Sequence, residues 1–196
     1  MAEKDGVSLA ALGGDPSWAR DPDVAARWSA EVAESGWFDR LHLDIEAYAL
    51  PDWDSASVAL VDGTIVAVGV AATTGLPVDV DVPYWFQSFS GSDGRNGLTA
   101  VCEVADSITV MAYQREASAI ERVSGPAVDA GKRAGIPVWI GVNLRQPTTD
   151  APSSSLWGED AAMISRTLAA VAAMPDIAGV ALHDADALIS LEAGPR

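Results

Sequence analysis

Phe38-Asp-Arg-Leu-His-Leu-Asp-Ile-Glu46 is the stretch on which the fold turns. Side chains on a β-strand alternate faces, so Leu41, Leu43 and Ile45 share one face and His42, Asp44 and Glu46 the other. The apolar face suits packing under helices. The charged face either looks into a site or is a solvated strand end; three successive inward polar positions favour the site, because stability does not explain them and buried carboxylates are costly unless paired or protonated. Glu46 then lies nearest the carboxyl end of the strand. Two carboxylates at i and i+2 with an imidazole behind them are electrostatically coupled. One of them is pushed up in pKa and becomes a candidate general acid at neutral pH.

Outward from residues 40–45, read as a strand, the chain repeats one pattern: a short apolar run, a polar loop, an Ala-rich helical stretch. Further strands are expected at 7–12, 77–82, 107–112, 138–143 and 177–182. Helices are expected at 21–35, 58–73, within 93–104, at 117–134 with a break at Gly125-Pro126, at 159–174 and from 186. The Pro/Ser/Thr-rich loop 146–157 is of the kind that roofs a site. Strands alternating with helices imply an α/β fold with a parallel sheet. No Gly-rich phosphate loop follows the first strand, which weakens an open nucleotide-binding sheet. Polar residues gather at the carboxyl ends of nearly every strand, which favours a TIM-type (β/α) barrel. A closed barrel uses eight strands and about 250 residues, so six strands predict a partial barrel. The sequence reads as a single domain over 1–196, two βα units short at its N-terminus.

Composition narrows the function. The net charge is −16, with only 12 Lys plus Arg, so a nucleic-acid or anionic-membrane partner is disfavoured. The longest apolar stretch, 64–72, is too short to span a bilayer and contains Gly69. No signal-type apolar segment opens the chain, which points to the cytoplasm if Met1 is the natural start. The single cysteine, Cys102, excludes an intrachain disulfide. No cofactor is expected. An incomplete barrel would leave open sheet edges, which invite self-association.

The same alternation picks out further candidates. Asp79 and Asp81 face inward while Val78, Val80 and Val82 face the helices. Trp85, in the cluster Pro83-Tyr-Trp-Phe86, can stack on a sugar ring or close a pocket. Met111 and Tyr113 share a face, followed by Gln114. Asn143 and Arg145 share another, and Arg145 can bind a ligand carboxylate or one of the Asp side chains. His183 ends the last strand.

The 38–46 stretch resembles the fourth-strand motif of the chitinase-like glycoside hydrolases (family eighteen), Asp-x-x-Asp-x-Asp-x-Glu, usually preceded by Phe. Asp39, Asp44 and Glu46 match, and His42 replaces the middle Asp. Met111-Ala-Tyr113-Gln114 is similar to that family's sixth-strand Met-x-Tyr-Asp/Asn. The resemblance implies that Glu46 protonates a glycosidic oxygen. It likewise implies that Asp44 orients the substrate's acetamido group and stabilises the charged intermediate, and that Tyr113 hydrogen-bonds the substrate. It numbers the first strand of this chain as the family's third, which again predicts two missing βα units. The family's eighth strand usually ends in a Trp; here the end is His183-Asp184. Two other readings stand beside a hydrolase acting on carbohydrate. One is a metal-dependent barrel enzyme with Asp44, Glu46, Asp79, Asp81 and His183 on one divalent ion. The other is a carbohydrate-binding or inactive partial barrel.

Overall fold

The computed structural model describes residues 6–149, 151 and 153–192. Six parallel strands form one sheet in chain order: β1 (Ala10–Gly13), β2 (Arg40–Leu43), β3 (Val78–Pro83), β4 (Ser107–Met111), β5 (Val138–Asn143) and β6 (Gly179–His183). Helices connect them: α1 (Pro22–Ser35), α2 (Trp53–Ala72), α3 (Gly97–Cys102), α4 (Ala117–Ala134) and α5 (Ala161–Ala172); α6 (Ala185–Glu192) follows β6. This strand order, with every neighbour parallel, is that of a (β/α) barrel. Among the described residues β1 and β6 pair only on one side each, so the barrel is partial. The sheet nevertheless curls. Ala10 and Leu12 of β1 and Ala181 and Leu182 of β6 line the same cavity.

The core lies between the sheet's convex face and the helices. Leu41, Leu43, Val78, Val80, Val82, Ile108, Val110, Ile140 and Val142 are all at most 1% exposed. β1 and β6 are less covered: Leu12 is 68% exposed and Leu182 36%.

Two expectations need correction. α4 runs unbroken through Pro126, although the ring deprives Arg122 of its helical partner. Buried Ile120, Ser124, Ala127 and Ala130 anchor both halves to the core, and tertiary packing outweighs the local loss. α2 begins at Trp53, five residues earlier than expected, because buried Trp53 and Leu60 pin its first two turns. The resulting 20-residue helix is long and apolar enough, by length and composition, to cross a membrane. Here it packs on α1 and β3.

Candidate functional site

β2 ends at Leu43, two residues short of expectation, but its alternation continues. The Asp44 amide still donates to the Gly13 carbonyl at 2.9 Å, as a next rung would. Ile45 and Ala47 are buried on the helix side; His42, Asp44 and Glu46 are half-buried on the concave side. Gly14 makes this possible. Its φ is +153°, and a Cβ there would stand 2.1 Å from the Asp44 carbonyl oxygen, so β1 and β2 can approach this closely only with glycine.

Glu46 caps the short 3₁₀ turn Ala47–Ala49. The Tyr48 hydroxyl donates to Glu46 Oε1. Tyr48 also meets Trp85 edge-to-face, with ring centroids 5.0 Å apart, and Trp85 continues to Phe89 at 5.5 Å. Aromatic pairs of this geometry hold one another's orientation. The result is a cleft of 460 Å³ at the carboxyl ends of the strands, lined by Glu46, Tyr48, Tyr84, Trp85, Met111, Tyr113 and Gln114 and by Ser153 and Ser154 from the loop after β5. Glu46, Trp85, Tyr113 and Gln114, singled out separately in the sequence, thus meet in one place.

Deeper in the barrel, His42 lies between two aspartates. Its Nδ1 is 2.6 Å from Asp79 Oδ2 and its Nε2 2.9 Å from Asp81 Oδ2. Both ring nitrogens face acceptors, which requires the doubly protonated ring. Burial disfavours that cation, but the hydrogen bonds and charges of Asp79 and Asp81 outweigh burial and raise the His42 pKa to about 10. Asp79 also accepts from Ser107 Oγ at 2.8 Å and Thr109 Oγ1 at 3.1 Å. Burial pushes the Asp79 pKa up, but His42, Ser107 and Thr109 together bring it below the ordinary carboxylate value.

Asp44 is the carboxylate that moves the other way. Burial, then the charges of Asp81 and Glu46, push its pKa up to about 7, against a smaller opposing pull from His42. Its Oδ1 is buried without a hydrogen-bond partner. A carboxyl group whose native pKa is raised favours folding below its unfolded value near 3.8, and that contribution is lost as pH rises through 7. Asp44→Asn is therefore expected to stabilise the chain above pH 7 by roughly 1–2 kcal/mol, since water screens this half-buried group, with the gap closing below pH 4, measured by urea unfolding across pH.

Tyr113 extends beyond the cleft, and the remaining candidates are dispersed. Tyr113 stacks on His183 with centroids 5.7 Å apart and interplanar angle 27°, between the cleft and the cavity that β1 and β6 share. Burial raises the Tyr113 phenol pKa. Asn143 does not face the cleft: its Nδ2 donates to the Ser154 carbonyl and its Oδ1 accepts from the Arg145 amide, which pins the loop after β5. Arg145 pairs at 3.1 Å with Asp184 rather than with a strand aspartate. The convergence of Asp44, Glu46, Asp79, Asp81 and His183 on one divalent ion is not met. Among the described residues no three His, Cys, Asp or Glu side chains are placed to hold a metal. His42 engages Asp79 and Asp81, and His183 lies against Tyr113. Tyr48, Ser107 and Thr109 were not anticipated. Their signal was parity: Tyr48 lies two residues beyond Glu46, and Ser107 and Thr109 are the register partners of Asp79 and Asp81.

No family model matches the chain, and no curated protein does. Solved structures do. A chitinase from Chromobacterium violaceum superposes with TM-score 0.54 at 16% identity, over 100% of this chain and 83% of that one. The glycoside hydrolase domain of PgaB (BpsB) from Bordetella bronchiseptica gives 0.51 at 13%, over 88% and 60%. The fold is a chitinase-like partial barrel. The spore cortex-lytic enzyme SleL of Bacillus megaterium gives 0.51 at 15%, over 87% of this chain and 44% of its own. The chain spans 46% of the Ostrinia furnacalis chitinase domain that it also matches.

Proposed function

We propose that this chain is a glycoside hydrolase-like protein acting on a carbohydrate, with Glu46 as the proton donor and Asp44 assisting. The observation that carries this reading is a cleft lined by residues from two separate motifs, Glu46 from one and Met111, Tyr113 and Gln114 from the other, together with Trp85, while Asp44 lines the cavity that Tyr113 shares with it. A sugar ring stacked on Trp85 would bring its linkage toward Glu46. Glu46 would protonate the glycosidic oxygen, Asp44 would steady the charge that develops on the sugar, and the Tyr113 hydroxyl would hydrogen-bond it. The family that the sequence resembles uses the substrate's own acetamido group in place of a second carboxylate nucleophile. The assay is release of reducing ends from a panel of amino-sugar and neutral oligosaccharides. Release from none of the panel would reject hydrolysis.

Trp85→Ala is expected to weaken sugar binding about tenfold, near 1–2 kcal/mol, through loss of the stacking face, measured by calorimetry. A second reading, binding of carbohydrate without turnover, is favoured by His183 standing where the resembled family has a floor Trp. It predicts saturable binding and no reducing ends. The exposed apolar side chains of Leu12 on β1 and Leu182 on β6 favour self-association, which sedimentation velocity across a concentration series would reveal as a species heavier than one chain.

A further inference from the structure

The interior charge arrangement carries a step beyond this reading, while resting on it. We propose that His42 is a positioning residue for Asp44 beside the Glu46 cleft: as an imidazolium bridging Asp79 and Asp81 in the cavity that Asp44 also lines, it holds a fixed cation that offsets the neighbouring carboxylates.

The geometry leaves His42 little freedom. It contacts one carboxylate through each ring nitrogen, at 2.6 and 2.9 Å, and Asp79 is in turn held by Ser107 and Thr109 of β4. The register makes this a built layer, since His42 pairs with Asp79 across β2–β3 and Asp79 with Ser107 across β3–β4. The position is one at which the resembled motif carries a carboxylate. A cation there reverses the local charge, and the two β3 aspartates are its counter-ions. The three groups together keep a net charge of −1, and Asp81 presents it to Asp44.

The groups around Asp44 come from every neighbouring element. His42 and Glu46 share its strand line, Asp81 comes from β3, Tyr113 from beyond β4 and Tyr48 from the turn after Glu46. His183 and Asp184 line the same cavity from β6, and Asp184 is paired with Arg145. Among the described residues, His42 is thus the cation acting on Asp44, opposed by Asp81 and Glu46. Asp44 Oδ1, buried and without a partner, has no donor to hold it ionised. With His42 in place, Asp44 gives up its proton near neutrality; without it, Asp44 keeps the proton to higher pH.

The test is NMR on the full chain, which has only two histidines. The expected result is that the wild-type His42 ring shows two protonated nitrogens up to pH 9. The Asp44 carboxyl ¹³C titration should then move in opposite directions in two variants: up by about one unit in His42→Gln, which loses the cation, and down by about one unit in Asp81→Asn, which loses an anion. A residue that merely filled space would not produce opposite signs. A neutral His42 ring at pH 8 overturns the proposal, as does a shift of the same sign or no shift in both variants. Should His42→Gln fail to fold, the wild-type ring titration and the Asp81→Asn shift still decide. Neither measurement uses a sugar, so failure here is distinct from failure of Glu46 as the acid.

Discussion

Glu46→Gln is expected to lower the rate of glycoside cleavage by about 10²–10⁴-fold while sugar affinity stays within a few-fold of wild type. The amide keeps the size and part of the hydrogen bonding of the carboxyl group but cannot deliver a proton to a leaving oxygen. Tyr48 donates to Glu46 Oε1, and the corresponding amide oxygen can accept the same bond, so the cleft's aromatic wall should hold. Binding without turnover in the variant is therefore the signature of a lost acid and not of a collapsed site. Cleavage by the variant at the wild-type rate would remove Glu46 from the chemistry. Equal loss of binding and cleavage would place it among the residues that merely shape the cleft.

The largest effect on stability should come from His42→Leu. Removing one member of a buried charged group leaves the others uncompensated and costs about 3–5 kcal/mol. Asp79, only 5% exposed, would keep Ser107 and Thr109 as donors but lose its cation, and Asp81 would lose its only ion-pair partner among the described residues. The pH dependence has a defined sign. The native His42 pKa, about 10, lies above its unfolded value of 6.5, so its contribution is complete below pH 6.5 and is lost as pH rises toward 10. The difference in unfolding free energy between wild type and His42→Leu should therefore be greatest at and below pH 6.5 and shrink steadily to pH 10. A difference independent of pH would mean that His42 contributes by packing and not by charge.

Much of the fold was legible because period-two alternation is a strong signal. β5 has the expected bounds, and the parity of 42, 44 and 46 and of 79 and 81 correctly separated the concave from the convex face. Local signals failed where tertiary contacts prevail. Pro126 reads as a helix break, yet α4 is held on both sides of it by buried residues. Nothing short-range marks Trp53 as the start of α2, because its burial against Tyr48 and Phe89 depends on loops brought together by the fold. For the site, the inward polar residues could be named but not their partners. That His42 reaches both Asp79 and Asp81 depends on the β2–β3 register, which pairs His42 with Asp79 and is set by contacts distant in sequence. Arg145 was open to several carboxylates, and the loop after β5 turns it toward Asp184. Asn143, placed on a strand end, serves that loop instead of the cleft.

The proposed function requires a carbohydrate to occupy the Glu46–Trp85–Tyr113 cleft. The most direct measurement is an NMR titration of the chain with each oligosaccharide of the panel, following the Trp85 indole N–H, assigned by its disappearance in Trp85→Phe. At least one oligosaccharide should shift the Trp85 indole saturably, together with Tyr113, while exposed Trp37 and Trp157, outside the cleft, stay fixed. Saturable shifts confined to Trp37 or Trp157, or no saturable shift at Trp85 with any sugar, would contradict it.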